Sequence, residues 1–451
     1  MSALPAGWAT TTIADVALFN PKTVAEDSMI AGFAPMQLLG TRYRDRMLFE
    51  ERPWGEIKKA YVHFQQGDVI VAKVTPCFEN GKAGIAPPLP NGFGAGSSEF
   101  CVIRPAQGID ERYLLAWLST EDFRRRATVA MTGSVGLKRV PKEVFLSERI
   151  PLAPESEQKR IADKLDGVLA RVDAVNARLA SVTPILKRFR QSVLAAATSG
   201  RLTEDWREQC EAESCRTFAL SDLVVSIDQG WSPKCEANAA PPDRWAVIKT
   251  TAIQALHFYP EENKALPNNL DPRPNLALAD GDVLITRAGP RSRAGIACVV
   301  KGDHPMLMLC DKAYRIRVDR SKVLPQMRKL HLNSPEILEV IDGMKTGISE
   351  SGVNLTQAKF RELALSVPCI AEQAEIVRRV ETLFAFADRL ETRLYAAQAA
   401  TERMTPALLA KAFRGELVPQ DSNDEPASEL LRRLQQEAPS TNRKRGRKSA
   451  A

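Results

Sequence analysis

Glu157-Gln158-Lys159-Arg160-Ile161 opens a patterned run, and Glu372-Gln373-Ala374-Glu375-Ile376 opens a second one 215 residues later. From Ile161 the apolar positions step by alternating four and three through Leu165, Val168, Val172, Val175, Leu179, Val182, Leu186, Phe189 and Val193. From Ile376 the same steps give Val380, Leu383, Ala387, Leu390, Leu394, Ala397, Thr401, Met404 and Leu408. Such spacing is the a/d seam of a coiled coil, which buries its apolar edge only against another helix. Two matched seams in one chain predict an intramolecular antiparallel pair. Each run ends at a glycine, Gly200 and Gly415, the residue that tolerates the left-handed backbone of a helix stop.

Working outward, the segments before the two runs repeat each other. Gly67-Asp68 leads into Val69-Ile70-Val71, and Gly281-Asp282 leads into Val283-Leu284-Ile285, 214 residues on. Ala83-Gly84-Ile85-Ala86 is answered by Ala294-Gly295-Ile296-Ala297, the Phe100 strand by Tyr314 to Val318, and Thr132-Gly133 by Thr346-Gly347. Turn residues between short apolar runs predict strands, with a helix from about Glu111 to Arg126 and a polar loop over 132–139. The expected fold is α+β: two strand-rich mixed domains separated by two long helices, a pseudo-two-fold internal repeat. The expected boundaries are 1–150 and 205–365 for the domains, 151–204 and 366–418 for the helices. Residues 419–451 form a linker, a short helix over 427–436 and a basic tail. Pro184 lies inside the first run, where proline removes a hydrogen bond and costs about 3 kcal/mol.

The hydrophobic fraction of 44% suffices for real cores. No apolar stretch approaches the roughly 20 residues of a membrane span, and the N-terminus lacks the charged start and apolar core of a signal peptide. A cytoplasmic location is expected, with the eight scattered cysteines reduced and mostly buried. The net charge is +7, but Arg443, Lys444, Arg445, Arg447 and Lys448 supply five of those charges, so any nucleic-acid face has to come from local clusters.

The motifs of an enzyme are missing from the sequence. His63, His257, His304 and His331 are isolated, the phosphate-cradling G-x-x-x-x-G-K-[ST] loop is absent, and Pro87-Pro88 and Pro241-Pro242 lack the flanking residues of an amino-methyltransferase motif. The clusters that remain suit binding. The span from Phe123 to Lys142 contains Arg124, Arg125, Arg126, Lys138 and Arg139 without an acid, and Lys73, Asn80 and Lys82 flank Thr75-Pro76. The equivalent loop of the second repeat, Thr286 to Arg293, carries Arg287, Arg291 and Arg293. Arginine in a Gly/Pro loop presents a planar fork to guanine edges or phosphates. The DNA-binding candidates are therefore Lys73, Asn80, Lys82, Lys138, Arg139, Arg287, Arg291 and Arg293.

Residues 72–82, 132–141 and 150–161, with Gly281 to Arg287 and Ala371-Glu372-Gln373, resemble the specificity subunit of a Type I restriction-modification system. The resemblance covers roughly residues 5 to 420 and includes the order of parts. It implies two target-recognition domains, each reading half of a bipartite double-stranded DNA site, with the helices setting the spacer and docking methylation subunits. It also implies a non-catalytic chain that binds no cofactor itself. Two methylation subunits would bring S-adenosylmethionine, and two restriction subunits ATP and Mg. The chain departs from the family pattern at Glu155-Ser156, at Pro184 and in the basic tail. The 27 or so residues from Glu155 to Ser181 give about 40 Å of helix, near the roughly 34 Å of one DNA turn. The other readings are a coiled-coil DNA-binding adaptor or repressor without methylase partners, and a self-contained methyltransferase.

Overall fold

The computed structural model describes residues 4–134, 136–211, 215–236, 238–241, 243–347, 350 and 352–437. The basic tail from Arg443 to Lys448, Val135 and Pro242 lie outside the described residues. Among those described, the chain forms two compact units: one takes in the residues up to Ala180 and from Ala396 onward, the other Ser181–Tyr395. The long helices Glu155–Thr198 and Ile370–Ala412 each contribute to both.

Each unit contains two four-stranded sheets in the same order. In the first unit one sheet runs Ala17–Phe19, Phe100–Pro105, Val69–Ala72, Ala83–Ile85, and the other Glu50–Pro53, Ile30–Ala34, Phe93–Gly96, Val62–Gln65. The second unit answers with Val224–Gln229, Ala313–Val318, Val283–Thr286, Ala297–Val299, and with Asn263–Ala265, Ala246–Ile248, His304–Met308, Ala277–Leu278. Even the single parallel pairing of each second sheet recurs. The Gly-Asp signature has one cause in both places. Gly67 and Gly281 both hold φ at +84°, a left-handed value that L side chains rarely adopt. The following carboxylate then accepts the N–H three residues back, Gln65 N to Asp68 at 2.7 Å and Ala279 N to Asp282 at 3.0 Å.

The register corrects one offset. Ala72 pairs with Phe100 and Thr286 with Ala313, so the Phe100 strand is answered from Ala313, 213 residues on, rather than from Tyr314. The segment expected as one helix from Glu111 is two, Glu111–Leu118 and Glu121–Val129, because Thr120 accepts the N–H of Phe123 and starts a new helix. Residues 132–139, expected as a loop, form a hairpin of Thr132–Ser134 and Leu137–Arg139. Only Cys101, Cys298 and Cys310 of the eight cysteines are buried, because these three lie in or beside inward-facing strands.

The first helix continues through Pro184 for 44 residues, well past Ser181. Ala180, whose carbonyl loses its partner to the proline, is exposed to water. Within the first unit, Ile161, Leu165 and Leu169 share a core with Leu409, Ala412 and Phe413. Within the second, Val193, Leu194 and Ala197 share one with Ile376 and Val380, so the start of each helix meets the end of the other and the pair is antiparallel. Arg190 crosses between the helices to Asp388 and Glu391 at 2.7 and 2.8 Å.

The seam is buried at Ile161, Leu165, Val172, Ile376, Val380, Ala387 and Leu394, and half-buried at Val168, Leu179, Leu383 and Leu390. Val175 departs from it, with 41% of its surface exposed. The buried stripe at the start of the first helix runs Ile161, Leu165, Leu169, Val172. The seam resumes beyond Val175, with Leu186 and Val193 buried, so the exposure is local to that turn.

The helix Pro325–Leu332 answers Glu111–Leu118, and Arg328 stands in the place of Leu114. Arg328 is wholly buried, and among the described residues none of its three guanidinium nitrogens has a hydrogen-bond partner. Burial lowers the guanidinium to about 9. An unpaired buried cation is among the costliest arrangements in a core. Arg328→Leu is expected to stabilise the protein by about 1–4 kcal/mol, seen as a higher denaturant midpoint; an unchanged or lower midpoint contradicts this account.

Candidate nucleic-acid interface

The clusters that lie far apart in sequence meet in space. In the first unit Val140 N donates to the carbonyl of Lys73 at 2.8 Å, Thr75 N donates to that of Lys138 at 2.9 Å, and Val74 pairs with Arg139. The hairpin is thereby laid against the loop that follows the Gly-Asp strand. The second unit repeats this joint: Leu355 N donates to the carbonyl of Arg287 at 2.7 Å, and Ala288–Gly289 pairs with Val353–Leu355. In both, the cation after the strand folds back on the same carbonyl position, Lys73 Nζ to Ser98 O at 2.9 Å and Arg287 Nε to Asp311 O at 2.6 Å.

Several candidates are therefore engaged with the protein. Arg139 forks onto Glu99, with Nε to Oε2 at 2.9 Å and Nη2 to Oε1 at 2.7 Å, and that fork holds the Glu99 carboxyl below its ordinary range. Lys82 Nζ donates to Met36 O at 2.7 Å. Arg291 pairs with Asp342 at 2.6 Å. Arg293 Nη2 donates to the carbonyls of Thr250 and Ile253 at 2.9 and 3.0 Å, which knits the loop to the neighbouring sheet. Asn80 and Lys138 are exposed. The linear span from Phe123 to Lys142 contains no acid, yet Asp122 just before it pairs with Arg125 on the same helix, and folding brings Glu148 to Arg126 and Glu99 to Arg139. Arg124 lies on Gly81, where a Cβ would come within 2.4 Å of its guanidinium.

The sequence did not single out Lys249, Lys264 and Lys312. They converge on one depression beside the Arg287 loop, each from a different segment, so no linear signal joins them.

The Glu-Gln pair that opens each long helix positions both interfaces. Gln158 Nε2 donates to Ala153 O at 2.9 Å while its Oε1 accepts Asp110 N at 3.1 Å. Gln373 Nε2 donates to Pro368 O at 2.8 Å while its Oε1 accepts Leu324 N at 2.8 Å. Asp110 and Leu324 are the residues that precede the matching helices Glu111–Leu118 and Pro325–Leu332. Glu157 accepts Trp8 Nε1–H at 2.9 Å, and Glu372 accepts Thr203 Oγ1–H at 2.7 Å and Arg207 at 2.5 Å.

The residues at 5–183 match the family model described as the Type I restriction modification DNA specificity domain. The chain is 30% identical to the Type I restriction enzyme EcoEI specificity subunit of Escherichia coli, over 91% of this chain and 83% of that one. It is 31% identical to the EcoKI specificity subunit of Escherichia coli strain K12, over 80% of this chain and 79% of the relative. A chain from a structure of complex assembly and conformational transition in the type I R-M system superposes with a TM-score of 0.70 at 19% identity, covering 92% of this chain and all of that one. The chain belongs to the family of Type I restriction-modification specificity subunits, the subunits of DNA recognition. The adaptor reading is not favoured. Among the described residues no helix is long and apolar enough to cross a membrane.

Two tests follow from this geometry. Burial raises the Glu157 carboxyl above its ordinary 4.5, against the opposing Trp8 hydrogen bond. A raised carboxyl contributes stability below the unfolded value and loses it as pH rises through the folded one. Glu157→Gln keeps an acceptor for Trp8 and removes this dependence. Its melting temperature relative to wild type is expected to rise between about pH 4 and pH 7, and a constant difference would contradict the buried-carboxylate account. Gly133 holds φ at +124°, and a Cβ there would sit 2.7 Å from Leu137 O. Gly133→Ala is expected to speed amide exchange in the hairpin by about tenfold or more, for a local cost of about 1–3 kcal/mol, while the sheet amides keep their protection.

Proposed function

We propose that each strand-rich domain reads one half of a bipartite DNA site, and that the antiparallel helices set the spacer and dock two methylation subunits. In this reading the chain carries no catalytic step. S-adenosylmethionine is held by the methylation subunits, and ATP with Mg by two restriction subunits. The observation that carries the reading is the shared strand order of the two units, with a matching loop-and-hairpin joint whose residues differ: Lys73, Lys138 and Arg139 in one, Arg287, Arg291 and Arg293 in the other. One scaffold with two surfaces suits two half-sites. The exposed Asn80 and Lys138 are free to approach a duplex, whereas Lys82, Arg139, Arg287, Arg291 and Arg293 shape the loops from within and reach DNA only by giving up protein partners.

The decisive experiment is a genome-wide map of methylated bases with the gene present and deleted. A split motif with a fixed gap is expected to vanish on deletion; an unchanged map in a cell with active partner subunits contradicts the reading. Removing one heptad from both helices is expected to retain the half-sites and change their separation. Lys138→Ala separates the kinds of contact: a phosphate role weakens binding to all sequences equally, and a base role relaxes one position of the motif.

A further inference from the structure

In the second unit Lys249, Lys264 and Lys312 surround a depression of about 420 Å³. Lys249 follows the strand Ala246–Ile248, Lys264 lies on Asn263–Ala265 opposite Val247, and Lys312 precedes Ala313–Val318. Lys264 and Lys312 are exposed and Lys249 is half-buried. Hydroxyls of Ser232, Thr250 and Thr251 complete the lining. Two acids stand close and keep their charge, Asp311 within the lining itself and Glu262 paired with Lys249, so the three lysines exceed them by one. Asp311 accepts from Ser232 Oγ at 2.6 Å, and Glu262 accepts from Thr251 Oγ1 at 2.6 Å with Lys249 Nζ 3.7 Å away.

The internal repeat provides the comparison. Strand register sets Glu50 opposite Phe33 where Lys264 lies opposite Val247. Lys73 N donates to Glu99 O where Arg287 N donates to Lys312 O. The short turn Met36–Leu38 is entered from Pro35, and its counterpart Thr250–Ala252 from Lys249. The first unit thus places Pro35, Glu50 and Glu99 where the second places three lysines, and both acids are paired with arginines, Arg52 and Arg139. A requirement of the scaffold would demand similar residues in both copies. Opposite charge on the same frame points to a ligand, and three ammonium groups beside hydroxyls suit a polyanion.

The depression is continuous with the arginine loop. Arg287 is bonded to the carbonyl of Asp311, next to Lys312, and Arg293 to the carbonyl of Thr250, next to Lys249. We propose that this depression grips phosphates of the DNA backbone, so that the second domain has an electrostatic hold that the first lacks at the same face. The proposal rests on the reading of the domains as DNA readers. A duplex whose base edges meet the loop then carries its backbone across the three lysines.

The test uses the full chain co-expressed with its methylation subunits and a mixed-sequence DNA duplex, with affinity measured against potassium chloride concentration. Each lysine–phosphate contact contributes about 0.9 to the slope of log K on log salt. Lys264→Glu with Lys312→Glu, the residues of the first unit, is expected to weaken binding about tenfold or more and to flatten the slope by about 2. Lys264→Gln with Lys312→Gln should flatten the slope similarly without added repulsion, with an unchanged melting temperature. If the wild-type complex binds and the folded glutamine variant keeps both affinity and slope, the phosphate grip is wrong and the half-site reading survives. If the wild-type complex shows no salt-dependent binding to duplex DNA, both fall.

Discussion

Two buried glutamines hold this protein together at its joints. Gln158 and Gln373 are inaccessible to solvent, and each uses its amide both to donate to a carbonyl five residues back and to accept the N–H of the residue that precedes a domain helix. A primary amide can do this because it carries donors and an acceptor on one rigid plane. The neighbouring glutamates turn the other way, Glu157 to Trp8 and Glu372 to Thr203 and Arg207. Each long helix is thereby pinned to its unit by two adjacent side chains. The loops that carry recognition inherit their orientation from that attachment.

Duplication sets a second constraint. The two units keep sheet order, Gly-Asp turns and the loop-and-hairpin joint, because these depend on backbone pairing and on positive φ at particular glycines. They differ where side chains face outward from that frame, as in the exchange of Glu50 and Glu99 for Lys264 and Lys312. The frame also absorbs a few anomalies. Arg328 occupies a leucine position in the core, and a proline sits within the first long helix, yet neither changes the order of elements.

The repeat, the long helices and their stops at Gly200 and Gly415 were legible in the sequence because heptad spacing and glycine punctuation are local signals. The hairpin at 132–139 was not, since its strands are three residues each and polar. The basic clusters were only half legible. Arginine-rich stretches announced themselves, but their pairing with Glu148, Glu99 and Asp342 depends on chain segments that arrive from elsewhere. Lys249, Lys264 and Lys312 left no linear trace at all.

The sequence alone determined the architecture of domain, helix, domain, helix, its duplication and its family resemblance, because periodicity and repeated turn chemistry act over short distances. Tertiary structure decided which seam positions are buried, leaving Val175 at the surface between the buried Val172 and Leu186. It also decided which cations remain available to a ligand and which are spent on the fold. That distinction depends on acids and carbonyls brought close by packing, and a Coulombic or hydrogen-bonded partner acts through space rather than along the chain.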